Sequence, residues 1–139
     1  MPDYDKIGLL AIRDDKILLC RKRASTSLLI LPGGCREPGE SALECLRREL
    51  HEELGDEVEL ASAEFIATYS GRAAGDPTKT VRIELYRGTL TGDPTPHSEI
   101  AELVWFPANG DWTQLAPSLA NQILPDLIAR RIILRGEPT

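Results

Sequence analysis

The chain has 139 residues, of which 42% are hydrophobic and 27% charged, and its formal charge is -6. That length and balance suit one domain over residues 1–139 with its own apolar core, and they exclude wholesale disorder. The acidic balance weighs against an extended nucleic-acid polymer as partner, because affinity for a phosphate backbone comes mainly from clustered Lys and Arg.

Residues 6–12 and 16–20 are apolar runs on either side of Arg13, Asp14 and Asp15, the pattern of two strands joined by a tight turn. Residues 28–31 form a third run, expected to end as a strand at Pro32, Gly33 and Gly34, where the backbone must bend. Ser41 and Glu44 have the spacing of a capping box. Leu43, Leu46, Leu50 and Leu54 then recur at helical intervals until Gly55, which predicts a helix. Residues 64–70, 80–90 and 102–106 have strand alternation, with Val81, Ile83 and Leu85 on one face and Arg82, Glu84 and Tyr86 on the other. Loops are expected over 71–77 and 92–97, and residues 118–134 read as an amphipathic helix that Pro125 kinks or splits. The fold class is α+β, with the strand order left open.

Cys20, Cys35 and Cys45 match neither a metal clamp nor a disulfide framework, which points to a reducing compartment. Met1 leads into Pro2, Asp3, Tyr4, Asp5 and Lys6 without a basic and apolar leader, and no apolar stretch approaches spanning length. A cytoplasmic protein without a membrane partner is expected.

From Gly34 the chain reads GCREPGESALECLRRELHEELGD. Helical residues turn by about 100° each, so Glu49, Glu52 and Glu53 project from one side of the helix. The leucines occupy a neighbouring stripe, and burying them against a sheet fixes where the glutamates point. Three adjacent carboxylates repel one another, and a hard divalent cation relieves that repulsion while leaving places for water and phosphate oxygens. Arg48 can brace a carboxylate with its planar fork. Glu40 lies just ahead of the helix, where the loop can fold it back toward the cluster. A solvated acidic face is the competing explanation for the triplet taken alone.

The longer pattern separates the two. This stretch resembles the Nudix box, G-x5-E-x7-R-E-U-x-E-E-x-G-U with U aliphatic, at all seven invariant positions and at Leu50 for the first U. A chance match anywhere in the chain is on the order of one in a million when each residue type occurs at typical frequency. The last U is Asp56, a departure that Val58 can offset by supplying the apolar contact. The resemblance implies a Nudix fold, a mixed β-sheet sandwiched between α-helices. It also implies hydrolysis of a diphosphate linkage in a nucleoside diphosphate derivative. By that resemblance Glu49, Glu52, Glu53 and the carbonyl near Gly34 are metal ligands for Mg2+ or Mn2+, and Arg48 is an orienter. Glu52 and Glu99 are alternative general bases.

Arg21, Arg23 and Arg36, together with Glu40, are candidate substrate contacts, although a solvated surface role is favoured for each arginine. Tyr69, Tyr86 and Trp105 are candidate stacking partners for a base, although core positions are favoured for all three. His51 and His97 lack metal-ligand spacing. A nucleoside triphosphate, oxidised or not, cleaved to monophosphate and pyrophosphate, is the leading substrate. Dinucleoside polyphosphates and ADP-sugars are alternatives, and a non-catalytic nucleotide sensor is the competing function. The expected partner is a small nucleotide, and a homodimer is an open arrangement.

Overall fold

The structure is a computed structural model and describes residues 2–24 and 27–134. Asp14 and Asp15 take φ of 51° and 62°, the left-handed pair that matches a two-residue hairpin turn to the twist of its strands. That turn joins β2 (Ile12–Arg13) to β3 (Lys16–Lys22). The expected hairpin is therefore present, but its first arm is two residues long. The apolar run before it, β1 (Tyr4–Leu10), leaves for another sheet and pairs in parallel with β6 (Thr80–Thr91).

Residues 28–31 do not form the expected strand and make only single bridges, Cys20 to Ile30 and Leu29 to Leu115. Instead β4 (Gly33–Cys35) begins where the sequence reading placed a stop, and it pairs antiparallel with β1 through Ile7–Gly34 and Gly8–Gly33. The reason is steric. Gly33 has φ +136° and a Cβ there would lie 2.0 Å from the Ile7 carbonyl oxygen, so only glycine lets the chain come close enough to pair. β5 (Glu59–Arg72) is longer at both ends than expected and takes the first residues of the presumed 71–77 loop into its ladder with β6. β7 (Ile100–Pro107) pairs with β3.

The strands make a four-stranded mixed sheet, β4-β1-β6-β5, and a three-stranded antiparallel one, β2-β3-β7. Pro125 splits the closing helix as expected. It cannot donate a backbone hydrogen bond, and the residues before it widen into a π turn, Leu119–Ile123, closed by Leu124 N–H on the Leu119 carbonyl. A short helix, α2 (Leu124–Ala129), follows and stops well before Leu134, because Arg131 turns left-handed at φ 58°.

Alternate residues of the same strands feed two cores. Ile7, Leu9 and Leu18 meet Leu46, Leu50 and Leu54 of α1 (Ala42–Leu54). Leu10, Ile17 and Leu19, with Val81, Ile83 and Leu85, meet Leu119, Ile123, Leu124 and Leu127. The strands are thus sandwiched between the two helical layers, as an α+β fold requires. Each of the three α1 leucines is fully buried, a gain of about 1.5–3 kcal/mol apiece, against a few tenths for each like-charge pair on the same helix. Packing therefore decides the roll of α1, and the glutamates follow.

Candidate functional site

Ser41 Oγ accepts from Glu44 N–H at 3.1 Å and Glu44 Oε1 accepts from Ser41 N–H at 3.0 Å, so the capping box opens α1 as expected. Leu43 is only half-buried; Cys45 and Glu53 take the buried positions beside Leu46, Leu50 and Leu54. Asp56 is exposed, while Val58 packs into the same core as Leu50 and Leu54.

Glu53 is 3% exposed, a costly place for a carboxylate, and its Oε1 accepts a hydrogen bond from Gly33 N–H at 2.8 Å. Burial pushes its carboxyl up to about 8; the Gly33 amide opposes that rise and the Glu49 charge adds to it. Glu49 is also raised by burial, with Arg48 opposing the shift. Its carboxyl carbon occupies the space over Gly34, where a Cβ would come within 2.4 Å. The Gly33–Gly34 pair therefore meets one acidic side chain with an amide and makes room for the other.

Arg48 organises the periphery. Its Nε and Nη2 donate to the two oxygens of Glu40 at 2.6 and 2.9 Å, Nη1 donates to Glu49 Oε1 at 2.9 Å, and Nη2 also reaches the Cys35 carbonyl at 3.1 Å. The fork on Glu40 holds that carboxyl down to about 2. Glu40 is thus tied to Arg48, and it lines a second cleft with Arg36 and Glu84. Glu52 stands 3.6 Å from Arg48 with its side chain 54% exposed.

A cleft of about 490 Å³ opens beside this end of α1, lined by Gly33, Gly34, Cys35, Glu49 and Glu99 together with Lys6 and Lys22. Lys22 pairs with Glu99 at 3.6 Å, and Glu99 is 64% exposed. The Lys6 ammonium is lowered, mainly by burial and then by the charge of Lys22. The arginines singled out from sequence lie elsewhere. Arg21 is held by Glu102 and the Ser27 carbonyl, and Arg23 donates to the Ser98 carbonyl at 3.2 Å. Arg36 pairs with Glu84 at 3.2 Å over a second, charged cleft. The aromatics are elsewhere too: Tyr69 is core and donates to Asp126 Oδ2 at 2.6 Å, Tyr86 stacks edge-on with Phe65, and Trp105 lies under Arg13. Gly33, Lys6 and Lys22 escaped the sequence reading. The paired glycines were a signal for the first; two lysines that meet only across strands gave none.

Glu49 and Glu53 offer an oxygen-only donor set whose charge is incompletely met by one amide and one guanidinium, which fits a hard divalent cation better than a zinc-type site. Among the described residues no three His, Cys, Asp or Glu side chains are already gathered at ion-holding distance.

These features define an α+β sandwich whose carboxylate helix abuts a glycine turn that lines a cleft. The chain belongs to the Nudix family: the NUDIX domain model matches residues 5–123. It is 30% identical over 133 residues to a protein named NAD-capped RNA hydrolase NudC from Pseudomonas entomophila (strain L48), which covers 94% of this chain. The chain spans 46% of that relative's length. Among solved structures it resembles the E. coli ORF135 protein, with a TM-score of 0.74 and 28% identity over 92% of this chain and 90% of that one. A NUDIX hydrolase from Nitrosomonas europaea has the same fold, with a TM-score of 0.73 and 23% identity over 94% and 90% of the two chains. No helix among the described residues is long and apolar enough to cross a membrane.

Proposed function

We propose that this chain hydrolyses the diphosphate linkage of a nucleoside diphosphate derivative, foremost a nucleoside triphosphate to monophosphate and pyrophosphate, with Mg2+ or Mn2+ as cofactor. The observation that supports this reading is Glu49, which lines the cleft over Gly34, with the buried Glu53 carboxyl of the same helix anchored on the neighbouring Gly33. Burying acidic groups there is costly unless a cation is to be met.

Glu49, Glu53 and the Gly34 carbonyl would hold the ion, with Glu52 joining them by a rotation of its exposed side chain. A bound divalent cation supplies charge neutralisation for the diphosphate and a more acidic water. Arg48 keeps Glu49 in position and is itself held by Glu40, an outer tier of the kind that tunes metal sites. Lys6 and Lys22 offset phosphate charge along the cleft. Water attacks phosphorus, its oxygen forming the new bond as the bridging P–O bond breaks, and Glu52 or Glu99 takes the proton. Lys22 pairs with Glu99 on the wall of the same cleft.

The test is phosphate and pyrophosphate release from a panel of nucleoside triphosphates, dinucleoside polyphosphates and ADP-sugars, with Mg2+ and with EDTA. NAD and a NAD-capped oligonucleotide belong in the panel because of the name of the NudC relative. Metal-dependent turnover supports the hydrolase; saturable nucleotide binding without turnover favours a sensor and overturns it.

A further inference from the structure

We propose that Tyr4 is the platform on which the substrate's nucleobase stacks, and that Lys6 beside it grips the adjoining phosphate. The inference rests on the hydrolase reading for which end of the cleft receives the diphosphate. Tyr4, Lys6 and Gly8 alternate along β1 and so share one face, and all three line the cleft. Register places them along its length. Gly8 lies opposite Gly33 and Lys6 opposite Cys35, next to Gly34, over which the Glu49 carboxyl of α1 lies. Tyr4 is two residues farther out, about 7 Å away at the usual strand rise, beyond the last pair with β4. That is the order, and close to the spacing, of a phosphate and the base it carries.

The ring is available. Tyr4 is 39% exposed, and among the described residues the other large apolar side chains left exposed, Phe65 and Leu134, do not line this cleft. An exposed aromatic inside a concave site is a stronger signal than one on an open surface. Ala73, Ala74 and Gly75 line the same cleft, and their small size leaves room for a planar group. Lys6 Nζ stands 5.7 Å from the centroid of the Tyr4 ring, within cation–π range. Without ligand the ammonium rests over the ring. A nucleotide offers both groups something better, a phosphate for the lysine and a base for the tyrosine, and base–aromatic stacking outweighs an exposed cation–π contact.

Calorimetric titration of AMP, GMP, CMP and UMP, with ribose 5-phosphate as the ligand lacking a base, separates the two roles when performed with Mg2+. Tyr4→Ala is expected to weaken the nucleotides about tenfold or more, the scale of one lost stack, and to leave ribose 5-phosphate unchanged. Tyr4→Phe should stay within about twofold of the parent, on the same reasoning. Lys6→Met should weaken nucleotides and ribose 5-phosphate alike. Should Tyr4→Ala fail to fold, Tyr4→Leu keeps an apolar side chain, removes the ring and reads the same quantity. Unchanged nucleotide affinity in the ring-free variant, an equal loss for ribose 5-phosphate, or no nucleotide binding by the parent overturns the proposal. Ring-dependent binding without any turnover would defeat the hydrolase reading alone, whereas turnover with an unaltered KM in Tyr4→Ala would defeat this one alone.

Discussion

The Gly33 amide donates to Glu53 Oε1 at 2.8 Å, joining the strand edge of the glycine turn to the buried side of α1. This one bond determines where the carboxylate sits, and it leaves the acid in a place where its charge is costly.

That cost has a pH signature. Folding raises the Glu53 pKa from its ordinary 4.5 to about 8, so between these values the folded chain holds a proton that the unfolded chain has lost. The associated stability is fully present below 4.5 and is lost as pH rises through 8. In EDTA, Tm should therefore decline from pH 6 to pH 9, a loss on the order of a few kcal/mol. Glu53→Gln, which can still accept from Gly33, should flatten the curve and remain more stable at pH 9. Parallel Tm profiles for parent and variant would contradict the assignment.

The two glycines should fail in different ways. Gly33→Ala places a Cβ 2.0 Å from the Ile7 carbonyl at a left-handed φ, and the expected result is a large fall in Tm or no soluble protein. Gly34→Ala meets the Glu49 carboxyl at 2.4 Å, a side chain that can yield. It should stay folded while kcat drops by about 10²-fold, the usual result of misplacing a reacting group by an ångström. Thermal melts and steady-state kinetics on both variants check this, and equal Tm losses would count against it.

Arg48→Lys keeps the charge and removes the fork on Glu40. Metal affinity should fall by about ten- to a hundredfold, the range for a lost outer-tier partner. With Glu40 held at about 2, its contribution is present above 4.5 and lost only as pH falls through 2, so the defect should not vary between pH 6 and 8. Titration of Mn2+ into parent and variant at the two pH values reads both quantities.

Glu52→Gln should lower turnover by at least ~10²-fold, the scale for an acid-base or ligand group, with little change in Tm because the side chain is exposed. Glu99→Gln is the comparison. Whichever of the two removes the acidic limb of the rate profile is the general base, and near-native turnover in Glu52→Gln would remove Glu52 from the mechanism.

The helix and its acidic spacing were legible because the Ser41–Glu44 box, the leucine period and Gly55 are local signals. The division of labour within the acidic triplet was not. Glu52 and Glu53 have the same spacing rule, and only the sheet beneath α1 makes one exposed and the other buried. β4 was misread because paired glycines signal a bend, whereas here they permit a close approach to β1. Arg21 looked free for phosphate, but Glu102, 81 residues away, lies directly across the β3–β7 ladder and takes it. Lys6 opened a run that sequence alone describes as a strand and Tyr4 lay ahead of it, and their cleft exists only once β4, residues 73–76 and residues 116–119 surround them.

The central claim is that Glu49 and Glu53 hold a divalent cation that works on a nucleotide's phosphates, and Mn2+ titration in the presence of a nucleoside monophosphate tests it most directly. Saturable uptake by the parent that is lost in the Glu49→Gln, Glu53→Gln double variant, while Tm in EDTA is maintained or raised, is the expected result. No uptake by the parent, or equal uptake by the double variant, would contradict it.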